Sequence, residues 1–317
     1  DIVIGMLQSI SMREYPEDTF KSFGLVIYDE CHHVSAEIFS RALLKTCCKY
    51  TLGLSATPNR KDGLRKVFEW YLGDIIYKSQ NTRNDDVNVK IYDYKYDDNS
   101  YNSEVINYVG KLNTAKMINN ICECHKRNTF IINIIKELAK ENRQILVLSD
   151  RKKQLNYLND TIQNQKIATS GLYVGGMKEI ALKDSETKDI MLGTYAMVSE
   201  GFDCPKLDTL IFASPKSSIE QSVGRILRKK PEDRVRIPVI IDIWDKFSMF
   251  KRQGLIRQKY YKKRNYNVSS FTVNDNVEPT NIVENKKTDS SNNKNRKGKG
   301  GNNGKKKNRI YKFINIK

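Results

Sequence analysis

The sequence predicts an α/β protein made of two tandem, doubly wound parallel-sheet lobes, the first incomplete, followed by a disordered basic tail. Three observations carry this. Short runs rich in Val, Ile and Leu alternate with stretches of helical period in both halves of the 317 residues. Several runs stop abruptly at acids, hydroxyls or glycines, as buried parallel strands do where they open into a site. The last forty or so positions carry too few apolar residues to build a core.

In chain order, residues 1–10 (Asp1-Ile-Val-Ile-Gly5 onward) read as a strand breaking into a helix start. The chain begins at Asp1 rather than Met, and we take it as a piece of something longer. Gly24-Leu-Val-Ile-Tyr-Asp29-Glu30-Cys31-His32 is an apolar strand ending in two carboxylates. In phosphoryl-transfer enzymes one such acid holds Mg²⁺ and a second orients the attacking water. Asp29 suits the metal and Glu30 the water; a strand stopping at a solvated acidic turn is the competing reading of these residues alone. Residues 35–47 place Ile38, Phe39, Ala42 and Leu43 at helical spacing, and residues 50–55 form a strand running into Ala56-Thr57-Pro58. Strand, helix, strand with short connections is a βαβ unit. The hydroxyls of Ser55 and Thr57 lie within reach of the acids. A helix over 64–72 and an alternating strand over 87–96 follow.

The same grammar repeats after a break lying between 79 and 125. Residues 130–140 are helical by period, 144–149 a strand, 152–163 a helix, and 172–174, 190–194, 207–214 and 239–243 strands, with a helix over 218–229. We assign 1–100 to the first lobe, 101–125 to a linker or insertion, 126–266 to the second lobe with a basic-aromatic helix, and 267–317 to the tail. Two stretches of the second lobe look chemical. One is Gly193-Thr194 through Glu200-Gly201-Phe202-Asp203, where an acid beside glycine can reach a sugar hydroxyl. The other is Gln221-Ser-Val-Gly224-Arg225-Ile-Leu-Arg228, which on a continuous helix presents two guanidinium groups and an amide to one point. A basic solvated helix face is the alternative, yet Gly224 in mid-helix would then cost about 1 kcal/mol without return.

Net charge is +18 and unevenly placed. Residues 286–317 hold twelve Lys or Arg against Asp289, and 246–264 hold eight and no acid. That is an electrostatic footprint for nucleic acid, with a merely solubilising tail as the other reading. Lys259, Lys262, Lys263 and Arg264 interleave with tyrosines and suit phosphates. Trp244, Phe247 and Phe250 suit packing instead. The six cysteines show no paired CxxC spacing, which points to reduced, intracellular thiols. No apolar run is long enough to span a bilayer, so no membrane partner is expected. Abundant Asn, Lys, Ile and Tyr point to an A/T-rich genome such as that of a large DNA virus or a protist.

Taken together and in this order, the residues resemble the superfamily 2 helicases and translocases of the DExH type, over about residues 1 to 265. Asp29-Glu30-Cys31-His32 looks like motif II, Ser55-Ala56-Thr57 like motif III, Gly193 to Asp203 like motif V, and Gln221-x-x-Gly224-Arg225-x-x-Arg228 like motif VI. The stretch from Ser55 to Gly63 is most similar to the DNA-directed branch. That branch includes the phage branch-migrating helicase, the transcription/repair helicase, restriction-enzyme motors and the poxvirus transcript-release helicase. The resemblance implies two RecA-like lobes, ATP and Mg²⁺ as cofactors, and nucleic acid, DNA in preference to RNA, as partner. Carried over position by position, Asp29 binds Mg²⁺ and the nucleotide side, Glu30 polarises the water, and Ser55 and Thr57 couple the lobes. Gly201 and Asp203 meet the nucleotide, Gln221 the γ-phosphate side, Arg225 and Arg228 act as fingers, and Thr194 lies nearer the nucleic-acid backbone. No GxxxxGK[ST] phosphate loop occurs in the sequence. An ATP-hydrolysing helicase built on this chain therefore needs an N-terminal remainder or a partner to supply that loop. An RNA helicase, or a non-catalytic nucleic-acid-binding protein derived from a helicase, are the alternatives.

Overall fold

The computed structural model describes residues 2–31, 37–55, 65–78, 85–199, 202–273 and 283–284. The chain divides into two units, one holding Asp1–Thr82 and the other Arg83–Asn293.

The first unit contains α1 (Leu7–Met12), β1 (Leu25–Tyr28), α2 (Glu37–Lys45), β2 (Tyr50–Gly53) and α3 (Arg65–Leu72). β1 and β2 pair in parallel, from Leu25 opposite Tyr50 to Tyr28 opposite Gly53. The βαβ unit is thus present, but the strand expected at residues 1–5 is not. Residues 2–6 are irregular, with Ile2, Val3 and Ile4 exposed, because a strand needs a ladder partner and among the described residues the sheet of this unit holds β1 and β2 alone. Val26 and Tyr28 turn toward a small core with Cys31, Leu43 and Leu72. Leu25 and Ile27, on the opposite face of the pleat, remain 50% and 55% exposed. β1, expected as a buried parallel strand, is thus covered by helices on one face only among the described residues.

The second unit contains β3 (Asn88–Tyr94), α4 (Asn99–Asn102), α5 (Thr114–Glu123), α6 (His125–Lys140), β4 (Ile145–Ser149), α7 (Lys152–Asn164), β5 (Ser170–Tyr173), α8 (Glu179–Thr187), β6 (Ile190–Thr194), α9 (Tyr195–Ser199), β7 (Thr209–Phe212), α10 (Glu220–Ile226), β8 (Val239–Asp245), α11 (Phe250–Lys263), β9 (Asn267–Val273) and β10 (Val283–Glu284). Its sheet has the order β10-β9-β3-β8-β7-β4-β6-β5. Every pairing is parallel except that of β10 with β9. β4, β7 and β8 are buried along their whole length, which is why they read as continuous apolar runs.

The division differs from the one drawn on pattern alone. β3, expected in the first lobe, pairs along all seven residues with β8 on one side and β9 on the other. Residues 101–125 are not a bare linker: Tyr101, Met117 and Ile121 are buried in the main core. Residues 267–273, expected in the tail, form the strand beside β3. Strand patterning reports burial, not which sheet a strand joins, so β3 and β9 could not be placed from period alone.

β8 carries two buried aspartates three positions apart, hence on opposite faces of the sheet. Asp242 accepts from Arg257 of α11, whose Nη2 lies 2.7 Å from Oδ1, and from the Tyr261 hydroxyl at 2.9 Å. Asp245 accepts from Arg127 of α6 through Nε at 2.8 Å and Nη2 at 3.0 Å, and from the Tyr101 hydroxyl at 2.6 Å. Each carboxylate thereby ties a helix to its side of the sheet. Against the Asp242 side, α11 packs so closely that a Cβ on Gly254 would lie 2.0 Å from Trp244 Nε1. No helix among the described residues is long and apolar enough to cross a membrane.

The contact at Gly254 generates a prediction. Gly254→Ala must push α11 away from Trp244 and strain both Arg257 and Tyr261, so we expect a loss of about 2–3 kcal/mol in the denaturant unfolding of the second unit. An unchanged midpoint would show that the approach of α11 to β8 is not required.

Candidate nucleotide and nucleic-acid site

In the first unit the acids sit where the sequence placed them, at the carboxyl end of β1. Asp29 is exposed and Glu30 half-buried. The Glu30 amide donates to Asp29 Oδ1 at 2.9 Å, and Glu30 adopts a positive φ of 46°. A non-glycine residue in the left-handed region is uncommon and concentrates where a turn must aim a side chain. The turn is clamped to the exit of β2: Leu54 N donates to Tyr28 O and Cys31 N to Leu54 O, both at 2.9 Å. Ser55, the next residue, therefore stands at the same end of the β1–β2 pair as the acids. Close approach here depends on Gly53, where a Cβ would meet Leu72 Cδ1 at 2.7 Å and Cys31 Sγ at 3.1 Å. Thr57 and His32, the remaining members of motifs III and II, lie outside the described residues.

Cys31 is buried directly beneath the acids. Burial, and next the charge of Glu30, push its thiol up to about 11. It is a packing sulfur rather than a nucleophile.

In the second unit Thr194 ends β6, half-buried and opposite Ser149 of β4. α9 follows at once, and the chain returns through Phe202, whose fully buried ring packs edge-on against Tyr173 at 4.9 Å. Asp203 points outward. Gly201 lies outside the described residues. α10 is shorter than expected, ending at Ile226 with Leu227 as its cap. Gln221 and Arg225 share a face of it at i, i+4, but Arg228 lies beyond its end. The helix stops early because Leu227 N donates to Gly224 O, closing a tighter final turn.

The two arginines nevertheless converge. Arg225 donates through Nη1 to Phe202 O and through Nη2 to Ser199 O, each at 2.5 Å. Arg228 Nε stands 3.5 Å from Asp203 Oδ1 in a partly exposed ion pair. Burial, and then the neighbouring Arg228 guanidinium, lower the pKa of Arg225 from its ordinary value. Motifs V and VI thus form one connected patch: the acid, both arginines and the carbonyls that hold them belong to residues 199–228. The carbonyls of Ser199 and Phe202 were not read from the sequence, because a backbone acceptor leaves no residue-type signature.

α11 separates its residues by face. Gly254, Arg257 and Tyr261 point inward, while Lys259, Lys262 and Lys263 are exposed and Arg264 lies over the Tyr260 ring at 5.6 Å. Trp244 and Phe250 are buried. Among the described residues no group of three or more His, Cys, Asp or Glu side chains stands together as a metal centre. Asp29 by itself suits a Mg²⁺ that takes its other ligands from water and phosphate oxygens.

Comparison with known proteins adds to this geometry. Residues 1–60 match the family described as "Type III restriction enzyme, res subunit". Over 284 residues the chain is 39% identical to "Putative ATP-dependent RNA helicase L396" of Acanthamoeba polyphaga mimivirus, covering 87% of this chain and 54% of that protein. Over the matched length its similarity is to proteins named as helicases. "Putative ATP-dependent RNA helicase QP509L" of African swine fever virus is 25% identical over 286 residues, covering 84% of this chain and 55% of the relative. The solved structure of "S. cerevisiae Dbp5 bound to RNA and ADP BeF3" overlays with a TM-score of 0.52 at 12% identity, covering 80% of this chain and 61% of that one, a likeness of fold. The chain spans about half the length of the curated relatives it matches.

The environment of Cys31 yields a test of the acid turn. With a thiol at about 11, roughly a thousandth is thiolate at pH 8, so alkylation of the native chain should label the exposed Cys47 long before Cys31. Peptide mapping after brief iodoacetamide treatment checks this. Equal labelling of both would mean that the turn carrying Asp29 and Glu30 opens readily.

Proposed function

We propose that this chain is the part of an ATP-driven helicase or translocase that holds the acid pair of one RecA-like lobe and the arginine patch of the other, and that it acts on DNA. The observation that carries the reading is the convergence of Arg225 and Arg228 on residues 199–203. Two guanidinium groups held together beside an outward acid suit the charge that develops on a transferring phosphoryl group and the sugar next to it. In this reading Asp29 holds Mg²⁺, which neutralises phosphate charge when bound. Glu30 orients the water, Ser55 and Thr57 couple the lobes, Gly201 and Asp203 meet the nucleotide, and Gln221 faces the γ-phosphate side. Thr194 and the bases of α11, Lys259, Lys262, Lys263 and Arg264, meet the nucleic-acid backbone.

DNA is favoured by the similarity of Ser55 to Gly63 to the DNA-directed branch. An RNA substrate is the second reading, favoured by the names of the mimivirus and African swine fever virus relatives. Unwinding of matched DNA and RNA duplexes by a protein that includes this chain and a phosphate loop separates the two.

Backbone amides of a phosphate loop and its lysine supply most of the grip on a triphosphate, and the 317 residues contain no such motif. Alone, the chain should therefore show no nucleic-acid-stimulated ATPase above background. Joined to a segment bearing the loop, it should hydrolyse ATP, with Glu30→Gln lowering kcat by about 10² or more. Robust turnover by the isolated chain that Glu30→Gln abolishes would overturn the need for a supplied loop.

A further inference from the structure

The segment between β3 and α5 contains a closed hairpin that the proposed function leaves unused. Ile106 pairs antiparallel with Leu112. Asn107 N donates to Lys111 O at 2.8 Å, Gly110 N to Asn107 O at 3.0 Å, and Asn113 N to Val105 O at 2.6 Å. The Asn107 side chain closes the tip from inside, accepting from the amides of Val109 and Lys111, both at 3.0 Å. Asn113 then caps α5 by accepting from Lys116 N at 3.0 Å. This well-bonded tip carries apolar side chains into solvent: Tyr108 is 101% exposed, and Ile106 and Val109 are 61% exposed.

The base of the hairpin is anchored at the carboxyl edge of the sheet. Thr114 Oγ1 donates to Met249 Sδ at 3.2 Å, just beyond β8. Arg151, two residues after β4, donates through Nη2 to Ala115 O at 3.1 Å and through Nε to Asn119 Oδ1. β4 ends at Ser149, opposite Thr194. The hairpin and Thr194 therefore rise from one edge of one sheet, within one unit. Lys111 on the hairpin and Lys116 in the first turn of α5 are exposed there, and neither meets a carboxylate among the described residues.

We propose that this hairpin is a stacking finger for single-stranded nucleic acid, with the Tyr108 ring against an unpaired base and Lys111 and Lys116 against the flanking phosphates. The inference rests on the nucleic-acid reading given above and adds a specific contact to it. An exposed aromatic ring followed along the same segment by two exposed cations suits a base and the phosphates beside it. A protein partner would need about 800 Å² of surface, far more than three side chains at a tip present. Tyr offers a rigid ring at low entropic cost, and the hydrogen bonds of the tip fix the backbone that carries it.

The test uses the full chain and a short single strand carrying 5-iodouracil, as DNA and as RNA. Irradiation should link the strand to Tyr108. Tyr108→Ala should weaken single-strand affinity about five- to tenfold, with Tyr108→Trp restoring it. Tyr108→Ala should leave the salt dependence unchanged, whereas Lys111→Ala with Lys116→Ala should flatten it. The Tyr108 side chain is fully exposed, so its replacement leaves the core intact. If the native chain binds single strands while Tyr108→Ala binds equally and crosslinks fall elsewhere, the finger is overturned and the broader reading stands. If the native chain binds neither DNA nor RNA, the nucleic-acid reading itself fails and the finger with it.

Discussion

β8 is the strand on which the second unit depends. Its two aspartates face opposite sides of the sheet, and each accepts a forked guanidinium from a buried arginine. Through its third nitrogen, Nη1, Arg127 donates to Ala213 O at 2.6 Å and Arg257 to Lys216 O at 2.6 Å, so both also hold the chain leaving β7. Gln154, Asn128 and Ser149 extend the Arg127 side: Gln154 Nε2 donates to Asn128 Oδ1 at 2.8 Å, and Ser149 Oγ donates to Gln154 Oε1 at 2.6 Å. Buried ion pairs of this kind add little net stability over well-packed apolar residues, but losing one partner strands a charge in the core. What they supply is a single permitted arrangement of α4, α6, α11 and the β7 exit around the carboxyl ends of the strands.

That constraint is where the functional edge is made. The strands end together at Ser149, Tyr173, Thr194, Phe212 and Asp245, and the loops that leave them carry the candidate residues, as is usual for parallel sheets. α10 is short and ends without a side-chain cap at its start, so its place is set largely by what its buried face and its arginine touch. Val223 and Ile226 enter the core, and Arg225 reaches back to the 199–202 carbonyls. Arg225 is thus held by the carbonyls of Ser199 and Phe202, and Arg228, beyond the helix end, by the Asp203 carboxylate.

Part of this was legible in the sequence for a definite reason. A strand ending in Asp29-Glu30, a hydroxyl at Ser55 and an arginine at Arg225 are visible because residue type and local period together limit their roles. Arg127 and Asp245 were not visible: they are 118 positions apart, and nothing local distinguishes a buried arginine in a helical stretch from a solvated one. The placement of β3 in the second sheet was hidden likewise, since Val89, Ile91 and Tyr92 advertise burial but not their neighbours. α10 is shorter than the helix expected over 218–229, and Gly224, expected in mid-helix, lies within its last turn, where its carbonyl accepts from Leu227 N. The first unit shows the converse limit. The apolar run of β1 reads as a buried strand, yet its outer face has no cover among the described residues.

The hold on Arg225 has a consequence for how the proposed site could work. Its two terminal nitrogens are occupied by Phe202 O and Ser199 O, so contact with a phosphate would require at least one of these bonds to be exchanged. The guanidinium is already charged toward these carbonyls, so the exchange replaces attraction to two carbonyl dipoles with attraction to a full negative charge. The two carbonyls belong to the end of α9 and to Phe202, and α9 begins directly after Thr194, on the edge proposed to meet nucleic acid. Under the proposed function, a nucleotide at Arg225 and a strand at Thr194 would then meet one short stretch of the second unit, with no long path through the core between them.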